Sequence, residues 1–142
     1  MTRIAFALPL LLAAGLGACA TSRPADTAAG KLVEARFATF NRHDLDGIAR
    51  LYAADAVLTS PGFCAPRKGE DGVRRSYADL FKSYPDISDD NVSYVAEGDR
   101  IAVRYVTHVG KYAVPIASFL TVRDGLIAED DAYFDAHGQT CS

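Results

Sequence analysis

Asp135, in the closing stretch YFDAHGQTCS, follows the aromatic pair Tyr133 and Phe134, with His137 and Cys141 soon after it. A carboxyl group turned inward among aromatic and aliphatic side chains loses hydration and becomes an acid or base usable near neutral pH. Turned outward, the same group only ends a strand. Just upstream stand Glu129, Asp130 and Asp131. Neighbours on a strand point to opposite faces, so these three cannot all face inward. They read as solvated charge or loose cation ligands. Neither Cys64 nor Cys141 has a CxxC or CxxH spacing, so no metal centre is expected.

The opening MTRIAFALPLLLAAGLGACA has one early Arg3, an apolar run from Ile4 to Leu12, and small residues up to Cys19. That is the plan of an export signal rather than of a membrane span, which needs about 20 apolar residues. Leu16 to Cys19, LGAC, resembles the bacterial lipobox, whose cysteine is acylated and becomes the first mature residue. The resemblance implies a signal peptide over 1–18 and lipidation at Cys19. Ala20, rather than aspartate, follows that cysteine, which implies the periplasmic face of the outer membrane. Residues 19–30 are small and polar, the composition of a flexible tether.

With Cys19 acylated, Cys64 and Cys141 remain, and an exported chain meets oxidising conditions in which such a pair bonds. A Cys64–Cys141 disulfide is expected. The formal net charge is −3, with no Lys/Arg cluster to suit nucleic acid. The membrane is met through the lipid anchor only, and no cofactor is implied.

The elements that must position a site follow from periodicity. KLVEARFATFNRHD puts Val33, Phe37 and Phe40 on one helical stripe, with Glu34, Arg36 and Asn41 off it. Asp44 caps a second helix, DLDGIARLY, carrying Leu45, Ile48, Leu51 and Tyr52. DAVLTSPG reads as a strand ending in a turn. Val73, Tyr77, Leu80 and Phe81 make a third helix, which stops before Pro85. Beyond Pro85 the period changes to two, giving four strands around turns at Gly98-Asp99 and Asp124-Gly125. The fold class is α+β: ααβα followed by four antiparallel strands, as one domain over 31–142.

The stretches FNRHDLDGIARLYAADAVLTSPG, RKGEDGVRRSYADLF, GDRIAVRYVTHVG and VRDGLIAEDDAYFD resemble the cone-shaped superfamily of nuclear transport factor 2, ketosteroid isomerase and the SnoaL-like polyketide cyclases. The resemblance implies a curved antiparallel sheet closed by three helices. The isomerase's catalytic groups are missing here: Ser60 precedes Pro61, Arg36 or Phe37 holds the tyrosine position, and Ala117 follows Pro115-Ile116. Steroid isomerisation is therefore excluded. The cyclase pattern fits better, and it implies Asp135 as acid/base and His108, in VTHVG, as its partner.

By the same resemblance Phe37, Tyr52, Tyr77, Phe81 and Tyr133 would line the cone around a small, largely apolar ligand. Arg104, on the strand parity of His108, would orient an anionic group. Three functions stay open: an isomerase, cyclase or lyase working by proton transfer beside a carbonyl; a tethered binding module; and an interaction domain that forms a homodimer through the convex sheet face.

Overall fold

The computed structural model describes residues 27–136. Helix α1 spans Ala28–Asn41, and the Thr27 hydroxyl accepts its Gly30 N–H at 3.0 Å. This cap, followed by two alanines, starts the helix inside the segment expected to be tether. Helix α2, Leu45–Ala49, is capped by Asp44, whose carboxylate accepts from the Gly47 N–H at 2.8 Å. A Cβ at Gly47 would lie 2.2 Å from Asp44 Oδ2, so the cap requires glycine. The helix ends sooner than its apolar pattern predicts, because Tyr52 opens strand β1, Tyr52–Thr59. There it is paired with the last strand.

A two-residue strand that the sequence reading lacks, β2 (Arg67–Lys68), pairs with β1 before α3, Gly69–Ser83. Then come β3 (Ser88–Glu97), β4 (Arg100–Val109), β5 (Tyr112–Arg123) and β6 (Leu126–Tyr133). The order β2-β1-β6-β5-β4-β3 makes one six-stranded sheet, antiparallel except where β1 runs parallel to β6. Asp124 and Gly125 both take positive φ, 53° and 78°, as a tight hairpin turn requires.

The inner face of the sheet carries the core. On β4 it presents Ile101, Val103, Tyr105 and Thr107, all buried, while Arg104 between them is exposed. Strand β6 departs from strict alternation. Thr121 pairs with Glu129 but Val122 pairs with Ile127, so Ala128 is an inserted residue, a bulge. Ile127 and Ala128 are both buried, and beyond them Asp130 lies opposite the fully buried Leu120. The bulge thus fixes which acid of the Glu129–Asp131 run enters the core.

Candidate functional site

Helix periodicity brings Arg36 inside. Expected off the apolar stripe, it is in fact buried: three residues after Val33 and four before Phe40 it lies at the edge of the packed face, and its side chain is 7% exposed. Its Nη2 donates to Asp130 Oδ2 at 2.9 Å, and the Tyr52 hydroxyl donates to the same oxygen at 2.7 Å. Tyr52 and Tyr77 share a hydrogen bond at 2.6 Å. The guanidinium also lies over the rings of Phe37 (5.1 Å) and Tyr105 (5.6 Å), and the Tyr105 hydroxyl meets Ser118 Oγ at 3.2 Å. Asp130 Oδ1 is buried and has no hydrogen-bond partner among the described residues.

Burial shapes the electrostatics of this cluster. Desolvation pulls the Arg36 pKa down, but Asp130 and the surrounding tyrosines outweigh it and hold the guanidinium firmly charged. Burial first, then Asp130, pushes the Tyr52 hydroxyl up, and burial does the same to Tyr77. Both tyrosines therefore stay neutral donors.

A second acid sits on the same inner face. Asp89, opposite Thr107, is 6% exposed, and its Oδ1 accepts from the Thr107 hydroxyl at 2.6 Å. Asn41 clamps its backbone, accepting from the Asp89 N–H at 2.7 Å and donating to its carbonyl at 2.9 Å. Desolvation raises the Asp89 pKa to about 6, against the lowering effects of Thr107, Arg36 and His108.

The residues proposed from sequence divide between the two faces. Phe37, Tyr52 and Tyr77 are buried in the cone, and Phe81 is half-buried beside Phe40 and His43. Asp135 lies beyond the end of β6 and is exposed, so it is not in the cone beside His108. His108 is itself 41% exposed and meets Asp90 at 3.0 Å. Arg104 and Tyr133, expected among the lining residues, stand on the outer face; Tyr133 is 58% exposed, edge-on to Phe119. The physical reason is parity, since Tyr133 pairs with Ala117, which pairs in turn with Arg104, along one outward row. Cys19 and Cys141 lie outside the described residues, and the Cys64–Cys141 pairing with them.

Sequence reasoning missed Arg36, Asp130 and Asp89. Each left a trace. Arg36 lies at helical spacing from Val33 and Phe40, Asp130 is the lone charge in the alternating set Leu126, Ala128, Asp130, Ala132 and Phe134, and Asp89 stands two residues after buried Ile87.

Three helices against one sheet, with an ionic and phenolic cluster buried between them, define an α+β cone with a polar heart. The chain belongs to the SnoaL-like domain family, whose family model matches residues 33–130. No curated protein matches it. Among solved structures, TerC co-crystallised with polyporic acid superposes with a TM-score of 0.70 at 20% identity, over 77% of this chain and 92% of that one. A SnoaL-like protein of unknown function from Burkholderia thailandensis gives 0.68 at 19% identity, over 77% and 96%. IdmH from Streptomyces antibioticus gives 0.64 at 25% identity, over 74% and 90%.

Proposed function

We propose that the protein is an exported, Cys19-anchored binding domain of the outer-membrane periplasmic face, which takes a small, largely apolar ligand carrying a hydroxyl into its cone. The observation that carries this reading is Asp130 Oδ1, a buried carboxylate oxygen with no partner while Oδ2 has two. Leaving a buried polar group unpaired costs about 1–3 kcal/mol, which a ligand hydroxyl donating to Oδ1 would relieve. The tyrosine and phenylalanine rings around it suit an aromatic or alicyclic skeleton. Co-crystallisation of TerC with polyporic acid is consistent with small molecules as cargo. Acid-base chemistry through Asp135 and His108 has no support in their positions, exposed beyond β6 and paired with Asp90.

The test uses 2-naphthol, followed by its own fluorescence, with wild type and Asp130→Asn. Saturable binding that weakens about tenfold or more in the variant supports the cone reading, because a charged acceptor is stronger than a neutral one. Equal affinity in both proteins contradicts it. Mass spectrometry of the mature N-terminus checks acylation of Cys19, and thiol titration of the unfolded, unreduced chain should find Cys64 and Cys141 both blocked.

A second reading, an interaction module, has one observation in its favour. The outer face exposes Val95, Phe119 and Tyr133 beside an open hollow of about 320 Å³ lined in part by Ala102, Arg104 and Ala117. Sedimentation showing a dimer that Phe119→Lys dissociates would favour that reading.

A further inference from the structure

We propose that the open edge of the sheet, the Ser93–Glu97 half of β3, is a docking site for an extended peptide segment, apolar in its middle and basic at both ends, which joins the sheet as a seventh strand. The site is independent of the cone and lies outside it.

Strand β3 ends the order β2-β1-β6-β5-β4-β3, so every second residue turns its N–H and C=O away from β4. Where the strand begins, those groups are covered. The Asn41 side-chain amide meets both backbone groups of Asp89 as a neighbouring strand would, and His43 Nε2 meets the Ile87 carbonyl. Asn91, at φ 52°, then lies in a bulge, where pairing passes from Asp90–Val106 to Ser93–Arg104. Beyond the bulge the turn at Gly98-Asp99 sets the pattern. A two-residue hairpin closes on a hydrogen-bonded pair, here Glu97 with Arg100. Counting back by twos, Val95 and Ser93 also bond to β4, and Tyr94 and Ala96 turn their backbone groups outward. Among the described residues no backbone group of another element bonds to them.

This half of the edge has none of the usual protection against an added strand. Ser93–Glu97 contains no lysine and no proline, and Val95 is 71% exposed. On the outer face β3 carries Asp90, Ser93, Val95 and Glu97, each paired with an outward residue of β4. Acids therefore bracket a short neutral run. A lysine at each end of an added strand would meet Asp90 and Glu97, and a β-branched residue between them would extend the row Val95, Ala102 and Phe119. A second copy of this chain fits worse. Antiparallel self-pairing of the run would set Glu97 beside Asp90 at both ends, where like charges repel.

The experiment titrates the full chain into fluorescein-labelled Lys-Thr-Val-Thr-Val-Thr-Lys, with Glu-Thr-Val-Thr-Val-Thr-Glu as the comparison, and reads fluorescence anisotropy. We expect saturable binding of the basic peptide and about tenfold weaker binding of the acidic one, the scale of two exposed ion pairs. Ala96→Pro keeps the bonds to β4 and removes an outward donor, a change an edge strand tolerates. It should weaken binding about tenfold, the scale of one hydrogen bond. Val95→Lys, at an exposed site, should weaken the basic peptide as well and leave the melting temperature unchanged. No saturable binding of the basic peptide, equal affinity for the two peptides, or full affinity in both variants overturns the proposal. A dimer in sedimentation that Ala96→Pro dissociates also overturns it, by giving the edge to a second copy. Each of these outcomes leaves the cone reading intact.

Discussion

Asp130 and Asp89 are the same chemical group on the same concave face, and the protein treats them oppositely. Asp130 is ion-paired to Arg36 and accepts a hydrogen bond from Tyr52, whereas Asp89 has only a hydroxyl and keeps a proton up to about pH 6. Much of the difference lies along α1. Arg36 reaches Asp130 from the middle of α1, and the end of the same helix offers Asp89 an uncharged amide, Asn41, which bonds to backbone alone. One helix thus sets one ion-paired and one hydroxyl-bonded carboxyl in a single interior, and different surroundings are how two acids of one site acquire separate roles.

Removing the cation should be the most damaging single change. Arg36→Met should cost about 3–5 kcal/mol in chemical denaturation, because it strands a buried charge. The double variant Arg36→Met/Asp130→Leu should recover most of that loss, and a double variant as unstable as the single one would mean that packing, not charge, is what Arg36 supplies.

Asp89 predicts a smaller effect with a defined sign. Its folded pKa, about 6, lies above the usual value of 3.8, so the native state holds the proton more tightly than the unfolded chain. The associated stability is complete below about pH 4 and is lost as pH rises through 6, about 2–3 kcal/mol in all. Asp89→Asn should therefore lack this fall, which melting curves across pH 4–7 would reveal.

At the small end, Arg123→Ala removes the ion pair with Asp55, both partners more than half exposed. It should change stability by less than about 1 kcal/mol. Asp135→Asn, outside the cone, should leave 2-naphthol affinity unchanged in the titration described above.

What could be read from the sequence follows the same division between environments. Helix stripes and the change to period two gave the three helices, five of the strands and the hairpin at Asp124-Gly125, because each is a local pattern. Strand β2 is only two residues long and is held by pairing with β1, so it leaves no pattern. The site was half legible. Phe37, Tyr52 and Tyr77 are apolar enough to announce burial. Arg36 and Asp130 are buried only because each neutralises the other across 94 positions of chain, and a charge read singly is assigned to solvent. The bulge at Ala128 compounds the difficulty, since it resets parity just before the acids, and the cyclase resemblance pointed to Asp135 instead.

The central claim is that the unpartnered oxygen of Asp130 receives a ligand, and a crystal structure of the protein soaked in 2-naphthol tests it most directly. The naphthol ring should lie among Phe37, Tyr52, Tyr77 and Tyr105, with its hydroxyl within about 3 Å of Asp130 Oδ1. Naphthol seated instead in the outer hollow beside Phe119, with the cone unchanged, would contradict it.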